Sequence, residues 1–202
     1  MTLSTQPVSE LVVLLDEDGG ALGTAPKDGV HGVDTPTHLA FSLYVVDPDD
    51  RLLVTRRARD KLTFPGLVTN SVCGHPGPDE PLRAAAARRA GAELGLQLDP
   101  ARIRLLLPAF RYRAEMDGIV ENERCPVLLA QPGREPDLRP DPAEVDEAWW
   151  MPWADYRDAV LSGELAVSPW SREQVAELAT LGSGPARWPA GDPALLPSAA
   201  RW

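Results

Sequence analysis

Short apolar runs separated by turn residues dominate the chain, and each run has the length of a buried β-strand. The strands predicted from them cover residues 11–15, 39–46, 52–55, 67–73, 103–113, 125–130 and 145–150. The turn residues 47–50 lie between the second and third of these runs, which favours a β-hairpin there. The stretch 24–38 is polar and punctuated by glycines, so we expect a loop.

Three other segments have the composition and end signals of helices. Residues 80–94 are rich in alanine, Asp79 is a candidate N-cap, and Gly95 is a candidate residue to end the helix. Residues 153–161 and 169–181 also predict helices. Because the strands and helices alternate irregularly, we expect an α/β (α+β) fold in which helices flank a mixed β-sheet.

Length and composition indicate a single domain followed by a tail. The chain has 202 residues, of which 44% are hydrophobic, and this suffices for one globular core. We place the domain at residues 10–181, after an N-terminal extension at residues 1–9. Residues 182–202 consist largely of glycine, proline and alanine, so we expect a flexible C-terminal tail.

The net charge restricts the class of partner. A charge of −10 disfavours nucleic acid and anionic membranes, which both bind basic surfaces, but it allows a small anionic substrate in a local basic pocket. No apolar run approaches the roughly 20 residues that cross a bilayer. The first residues show no signal-peptide pattern, and two cysteines cannot build a disulfide framework, so we expect a reduced, cytoplasmic protein.

Histidine, cysteine and lysine are scarce, so each of these residues is a candidate for chemistry. Cys73 and His75 lie two residues apart in the sequence. Three interpretations of this pair remain open: a nucleophile with its base, a metal site, or a buried cysteine beside a loop histidine.

Two carboxylates, Glu121 and Glu123, would share one face of a strand, because side chains two residues apart point the same way. Their mutual repulsion is relieved either by a divalent metal or by solvent at an exposed edge strand. Together with the three histidines they would form a nitrogen and oxygen shell suited to Mn²⁺, Fe²⁺, Zn²⁺ or Mg²⁺. The full candidate set is His31, His38, His75, Glu121 and Glu123.

Residues 74–96 resemble a degraded Nudix box, a loop and helix that present acidic side chains to a metal-bound diphosphate. Glu93 keeps the last acidic position, but Arg89 and Ala92 stand where carboxylates are expected. Diphosphate hydrolysis usually needs those carboxylates to gather metal ions and activate water, so their absence argues against a hydrolase. The alternative is an alanine-rich surface helix with scattered charges.

Four cations lie in the loops that flank the predicted hairpin, namely Lys27, Arg56, Arg57 and Lys61. Lysine and arginine are natural ligands of diphosphate groups. For any one of them alone, a solvated loop charge is the simpler interpretation.

Taken together, these elements closely resemble the type I isopentenyl-diphosphate isomerases, a family of the Nudix superfamily that does not hydrolyse its substrate. The matching stretches are THLAFS (37–42), LLVTRRA (52–58), FPGLVTNSVCGHP (64–76), FRYRA (110–114), GIVENERCPV (118–127) and SPW (168–170). The pair TNSVCGHP and GIVENE is highly specific for this family. The resemblance covers most of residues 10–181 and leaves the tail unexplained.

The resemblance implies a reaction and a set of roles. The enzyme would interconvert isopentenyl and dimethylallyl diphosphate in isoprene biosynthesis, with Cys73 and Glu123 as an acid–base pair on opposite faces of the substrate. Glu93 would help to hold Mg²⁺ against the diphosphate. The ligands implied for a separate divalent ion, Mn²⁺ or similar, are His31, His38, His75, Glu121 and Glu123.

The resemblance also implies substrate contacts. The phosphate ligands would be Lys27, Arg57 and Lys61. Tyr112 and Trp170 would line the hydrocarbon end, and Phe64 stands where members of the family often carry tryptophan. The expected partner is a small prenyl diphosphate, and the expected state is a monomer or weak oligomer. Two other function classes are a Nudix-type diphosphate hydrolase and a non-catalytic binding module on the same fold.

Overall fold

The computed structural model describes residues 10–132 and 136–202, so the extension predicted at residues 1–9 lies outside the described part. The strands are β1 (Leu11–Leu15), β2 (Ala21–Pro26), β3 (His38–Leu39), β4 (Phe41–Val45), β5 (Arg51–Arg57), β6 (Val68–Thr69), β7 (Val72–Gly74), β8 (Arg104–Leu107), β9 (Arg111–Met116), β10 (Ile119–Arg124), β11 (Val127–Ala130) and β12 (Val145–Pro152). The α-helices are α1 (Lys27–Val30), α2 (Leu82–Leu94), α3 (Trp153–Ser162) and α4 (Pro169–Leu178).

Across the described residues, the strands form three small sheets. Their strand orders are β2-β1-β3-β10-β9, β7-β4-β11-β8 and β12-β5-β6. Strand β10 runs parallel to β3 and β11 runs parallel to β4, whereas β1 and β2, for example, are antiparallel. The predicted fold class, a mixed sheet arrangement flanked by helices, is confirmed.

Strand β4 is buried along its whole length and divides the core in two. Its odd-numbered apolar residues pack with α2, whereas Tyr44 belongs to the cluster that contains Trp170 of α4. Successive side chains of a strand point to opposite faces, so Ser42 lies on the same face as Tyr44. Polar groups on this face are therefore held between β4 and α4.

The hairpin predicted between residues 39–46 and 52–55 is wrong. Strand β4 pairs with β7 on one edge and with β11 on the other, so both of its edges are occupied. Strand β5 pairs instead with β12 and β6, and a single bridge between Val46 and Leu52 remains next to the turn. The turn therefore carries the chain from one sheet to another.

The loop predicted at residues 24–38 is also partly wrong. Strand β2 extends to Pro26, because its backbone pairs with β1 although most of its side chains are exposed. Helix α1 follows directly, and β3 begins at His38. Main-chain pairing with a buried neighbour thus outweighs the polar, glycine-containing sequence.

Helix α2 lies close to the predicted bounds, and Gly95 caps its C-terminus in the left-handed conformation, as predicted, with φ of 71°. Asp79 is not the N-cap. Pro81 takes that position without a side-chain hydrogen bond, and Asp79 forms an ion pair with Arg201 of the C-terminal segment instead. None of the described helices combines the length and apolar character needed to span a membrane.

The C-terminal residues 182–202 pack along the domain, which differs from the flexible tail expected from their composition. Trp188 is buried against Trp153, with ring centroids 4.8 Å apart and edge-to-face geometry. The Trp202 ring lies 4.0 Å from the Arg83 guanidinium carbon. Large aromatic side chains bury enough apolar surface to hold a segment that is otherwise poor in regular structure.

Candidate active site

A pocket of about 300 Å³ opens between the strand ends and the loop that follows β5. Most of the residues selected from the sequence line it, although they come from distant parts of the chain. The predicted site residues that line this pocket are Lys27, His31, Arg57, Lys61, Cys73, His75, Tyr112, Glu121, Glu123 and Trp170. The structure therefore brings together the candidate acid–base, basic and aromatic groups.

Three histidines and one glutamate meet beside this pocket. His38 on β3 stands opposite Glu123 in the parallel β3–β10 ladder, and their Nε2 and Oε1 atoms are 3.4 Å apart. His75 Nε2 lies 3.1 Å from the same oxygen. One ligand atom from each of His31, His38, His75 and Glu123 lies within 4.8 Å of the others.

The donor atoms of this cluster fit a divalent metal ion. His31 Nε2 and His75 Nδ1 are buried and have no hydrogen-bond partner among the described residues. Buried polar atoms normally have a partner, and neutral imidazoles with a carboxylate form a ligand set that suits Mn²⁺, Fe²⁺ or Zn²⁺. The unpartnered nitrogens thus support a metal at the position that the sequence indicated.

Electrostatics favour the neutral, metal-binding form of His31 and His75 but not of His38, where burial opposes protonation yet the contacts with Glu123 raise the pKa. Burial and the neighbouring His38 lower the pKa of His31 to about 4, and burial lowers the pKa of His75. Both imidazoles are consequently neutral at pH 7, which is the form that binds metals. Burial opposes ionisation of Glu123, but hydrogen bonds with His38 and His75 hold its pKa well below the usual range.

Glu121 is placed differently from the other predicted ligands. It lies outside the four-residue cluster, and Tyr112 Oη is 2.6 Å from its Oε2 atom and 3.0 Å from Glu123 Oε2. Burial and the adjacent Glu123 raise the pKa of Glu121. The pKa of Glu121 is thus raised while that of Glu123 is lowered, although both side chains lie on the same face of β10.

Glu93 lies apart from the histidine cluster, on the buried side of α2. Its Oε1 atom is 2.6 Å from the Arg89 guanidinium, which also donates to Glu144 at 3.1 Å. Glu144 in turn pairs with Lys61. Arg89 and Glu144 both line the pocket.

Sequence reasoning missed part of this charge network. It treated Arg89 only as a departure from an acidic motif, and it did not select Glu144. The unusual arginine at an acidic motif position was a usable signal for the first. No local signal marked Glu144, which reaches the pocket because it directly precedes β12.

Cys73 sits on β7 with its side chain partly exposed to the pocket. Its sulfur donates to Asn70 Oδ1 at 3.2 Å and lies 3.5 Å from Ser42 Oγ. Burial raises the pKa of the thiol to about 11, so the group carries its proton at neutral pH. The pocket thus offers a protonated thiol and an ionised carboxylate, Glu123, from two separate strands.

The other predicted contacts form a basic rim and an aromatic wall. Lys27 pairs with Glu10 at 2.8 Å, and Arg57 donates to the Thr63 carbonyl at 2.7 Å. The Arg57 guanidinium also lies 5.4 Å from the centre of the Trp170 ring.

Trp170 is the centre of the aromatic wall. Phe64 meets it edge to face at 5.2 Å, and Tyr112 lies 5.4 Å away on another side. Trp170 Nε1 donates to Asn70 Oδ1 at 3.2 Å, which fixes the plane of the indole. One side of the pocket is therefore apolar and rigid, while the rim carries positive charge.

Comparison with known proteins agrees with this geometry. The family model of the NUDIX domain matches residues 36–175. A protein of Rhizobium rhizogenes named isopentenyl-diphosphate Delta-isomerase is 49% identical over 202 residues, covering 100% of this chain and 95% of the relative. A protein of the same name from Saccharopolyspora erythraea is 50% identical over 192 residues, covering 95% and 97%.

Solved structures resemble the chain in fold alone. A crystal structure of a Deinococcus radiodurans protein matches with a TM-score of 0.63 and 16% identity, covering 83% of this chain and 98% of that one. A NUDIX hydrolase from Alicyclobacillus acidocaldarius matches with a TM-score of 0.57 and 18% identity, covering 76% and 97%.

Proposed function

The chain belongs to the isopentenyl-diphosphate Delta-isomerase family of NUDIX proteins, and we propose that it interconverts isopentenyl diphosphate and dimethylallyl diphosphate. The observation that carries the proposal is the meeting of Cys73 and Glu123 in one pocket beside a histidine cluster. The reaction moves a carbon–carbon double bond by one position, and no bond to phosphorus breaks.

Two groups on separate strands suit this chemistry. Protonating the alkene forms a C–H bond from its π electrons and leaves a tertiary carbocation, and removing a different proton restores a double bond. We assign the two proton transfers to Cys73 and Glu123, on opposite faces of the five-carbon chain. The protonated thiol and the ionised carboxylate are the forms that the site favours at neutral pH.

We assign the histidine cluster to one divalent ion, Mn²⁺ or similar. His31, His38, His75 and Glu123 would hold it, with Glu121 as the additional carboxylate of this site. When bound, the ion would set the basicity of the Glu123 carboxylate through its charge. Tyr112, which lies within hydrogen-bond distance of both carboxylates, orients them toward the pocket.

The basic rim is assigned to the diphosphate. Lys27, Arg57 and Lys61 would contact phosphate oxygens, and Glu93 would help to hold a Mg²⁺ ion against them. Fixing the diphosphate positions the hydrocarbon end between the two proton carriers, so that binding energy from the unreactive end serves the reaction. The two lysines would exchange their present carboxylate partners, Glu10 and Glu144, for phosphate oxygens of the substrate.

The aromatic wall is assigned to the hydrocarbon end. A carbocation in contact with water would be trapped as an alcohol, so the reacting carbons need a dry enclosure. Trp170 presents a fixed indole face, which stabilises a desolvated cation by about 2 kcal/mol. Tyr112 lines the pocket beside it, and the buried Phe64 packs edge to face against the indole.

The alternative of diphosphate hydrolysis is disfavoured by Arg89. This residue occupies an acidic position of the hydrolytic motif, and its guanidinium is bound to Glu93. An arginine in place of a carboxylate leaves fewer oxygen ligands to gather metal ions and activate water.

The proposal extends to cellular context. We infer a cytoplasmic enzyme that acts on a small molecule, without a nucleic acid or membrane partner, as a monomer or weak oligomer. The net charge of −10 and the two free cysteines support this inference.

The test is to incubate the protein with isopentenyl diphosphate in D₂O and to follow the products by NMR. We expect deuterium-labelled dimethylallyl diphosphate, and loss of turnover in a sample treated with a chelator. Cys73→Ala and Glu123→Gln should each abolish the reaction while circular dichroism shows a folded protein. Release of phosphate or pyrophosphate would contradict the proposal, and so would turnover close to wild type in either variant.

A further inference from the structure

A chain of buried polar groups lies behind the sulfur of Cys73. Tyr44 Oη donates to Gln174 Oε1 at 3.0 Å, and Gln174 Nε2 donates to Ser42 Oγ at 2.9 Å. Ser42 Oγ lies 3.5 Å from Cys73 Sγ. Tyr44, Gln174 and Ser42 are all completely buried, so water does not compete for these hydrogen bonds.

The register of the sheet produces this contact. Ser42 on β4 is the direct antiparallel partner of Cys73 on β7, so their side chains project from adjacent positions on one face. Helix α4 supplies Gln174 from above that face. The contact is therefore fixed by backbone pairing and does not depend on a mobile loop.

The direction of each hydrogen bond follows from the groups at the two ends. The Tyr44 hydroxyl donates to the amide oxygen of Gln174, which turns the amide nitrogen toward Ser42. Because Ser42 Oγ accepts this bond, its own hydrogen remains available. The nearest acceptors for it are the sulfurs of Cys73 and Cys125, each 3.5 Å away.

Asn70 determines where the Cys73 thiol directs its hydrogen. Its amide nitrogen donates to the carbonyls of Leu43 and Val72, at 3.1 and 2.8 Å, so Oδ1 faces the cysteine as an acceptor. The Cys73 thiol donates to this oxygen at 3.2 Å. The thiol hydrogen is thereby directed away from Ser42, so a hydrogen bond between the two groups uses the Ser42 hydrogen, for which Cys125 Sγ is the competing acceptor.

We propose that Ser42, held by Gln174 and Tyr44, is a positioning residue whose hydroxyl donates to Cys73 Sγ and stabilises the sulfur after proton transfer. The inference rests on the proton-transfer role proposed above for Cys73. When the S–H bond breaks, its electron pair stays on sulfur and the proton forms a C–H bond with the alkene. The Ser42 hydroxyl then faces a negatively charged acceptor, and the process reverses when sulfur regains a proton.

A bond of this kind affects the reaction more than it affects substrate binding. Hydrogen bonds to charged groups are stronger than those between neutral groups, so Ser42 contributes more once sulfur is charged. Loss of such a donor corresponds to roughly a 10- to 100-fold fall in kcat. KM should stay within about twofold of wild type, because Ser42 is completely buried and does not line the pocket.

The experiment compares steady-state kinetics of wild type, Ser42→Ala and a matched control, Ser71→Ala. Ser71 is also a completely buried serine, but its hydroxyl bonds to the Val45 amide and the Leu53 carbonyl, away from any sulfur. We expect the fall in kcat in Ser42→Ala alone. The control should lose thermal stability without a comparable loss of kcat.

Tyr44→Phe provides a second arm that leaves Ser42 in place and keeps the inference testable if Ser42→Ala does not fold. Removing the phenol hydroxyl allows the Gln174 amide to rotate and present its oxygen to Ser42, which would draw the serine hydrogen away from Cys73. We expect a smaller fall in kcat, about 2- to 10-fold, with KM unchanged.

The outcomes separate this inference from the proposed function. An inactive wild type overturns the isomerase assignment itself. An active wild type with unchanged kcat in Ser42→Ala or, if that variant is unfolded, in Tyr44→Phe overturns the role of Ser42 and leaves the assignment intact. An effect confined to KM, or an equal loss of kcat in Ser71→Ala, also overturns it.

Discussion

The cations that line the pocket, Lys27, Arg57, Lys61 and Arg89, are each engaged by a neighbouring group, in most cases a carboxylate. Glu144 is the clearest case, since it pairs with both Lys61 and Arg89. Burial opposes its ionisation, but these two cations lower the pKa of Glu144 to about 2. The carboxylate therefore holds the two cations in place and limits the positive charge that the pocket presents.

The lowered pKa of Glu144 predicts a defined acid dependence of stability. A carboxylate whose pKa falls from 4.5 to about 2 on folding stabilises the protein above the higher value, and this contribution disappears as the pH falls through the lower one. The variant Glu144→Gln lacks this pH-dependent stabilisation, because a glutamine side chain does not ionise. We expect the difference in unfolding free energy between wild type and the variant to narrow steadily from pH 5 to pH 2.

Denaturant unfolding at several pH values checks this expectation. Glu147→Gln is a suitable control, because Glu147 is a largely exposed carboxylate that pairs with Arg56 on the same strand pair. Exposed ion pairs contribute little. A difference between wild type and Glu144→Gln that stays constant across this range would contradict the role assigned to Glu144.

Scarcity, motif spacing and the family resemblance selected most of the residues that line the pocket, because all three are signals carried by the sequence itself. All three histidines meet in one pocket region, and both lysines line the pocket. Glu144 and the buried hydroxyl of Ser42 could not be selected in this way, since their roles depend on which strands become neighbours. Burial and hydrogen-bond direction appear only once the sheets are assembled.

At the scale of elements, the sequence predicted strands better than their pairing. Apolar runs located β1, β4, β5, β11 and β12, because burial requires an apolar side chain wherever a strand crosses the core. Pairing is decided by competition among all strands for the same edges. Strand β4 pairs with β7 and β11, and this placed Cys73 opposite Ser42, which no hairpin signal indicated.

The C-terminus of α2 supports a prediction about helix ends. Gly95 adopts φ of 71°, and a Cβ atom there would come within 2.9 Å of Arg139 Cβ. Gly95→Ala therefore combines left-handed strain with a clash. We expect a loss of about 2–3 kcal/mol in unfolding free energy, measured by denaturant titration.

A matched glycine separates the two contributions to this loss. Gly163 ends α3 with φ of 82°, and a Cβ atom there would meet no atom within 4 Å. Gly163→Ala should show the strain alone, about 1 kcal/mol. Equal losses in the two variants would show that the contact with Arg139 costs nothing.

At the scale of the whole molecule, the distribution of charge matters more than its sum. The chain carries −10 overall, yet Lys27, Arg57, Lys61 and Arg89 line one pocket. Asp28, Glu121, Glu123 and Glu144 line the same pocket, so these cations attract a small anion only where it displaces a carboxylate partner or where a metal ion offsets the acidic charge. The composition predicted the class of partner, and the fold supplied the concentration of cations.

The packed C-terminal segment stabilises the whole domain and contributes no residue to the lining of the pocket. Trp188 is buried against Trp153, and its indole nitrogen donates to the Gly182 carbonyl at 2.9 Å. Trp188→Ala should lower the unfolding free energy by about 3–5 kcal/mol, because it leaves a large cavity. At a temperature where the variant is folded, kcat should stay close to wild type, since the residues that line the pocket come from other segments.

Leu195→Ala, at an exposed position of the same segment, is the matched control and should change stability by less than about 0.5 kcal/mol. Thermal unfolding and steady-state kinetics of both variants check the two expectations together. A fall in kcat for folded Trp188→Ala would mean that the segment also shapes the active site. An unchanged melting temperature would mean that the packing of Trp188 contributes nothing to the fold.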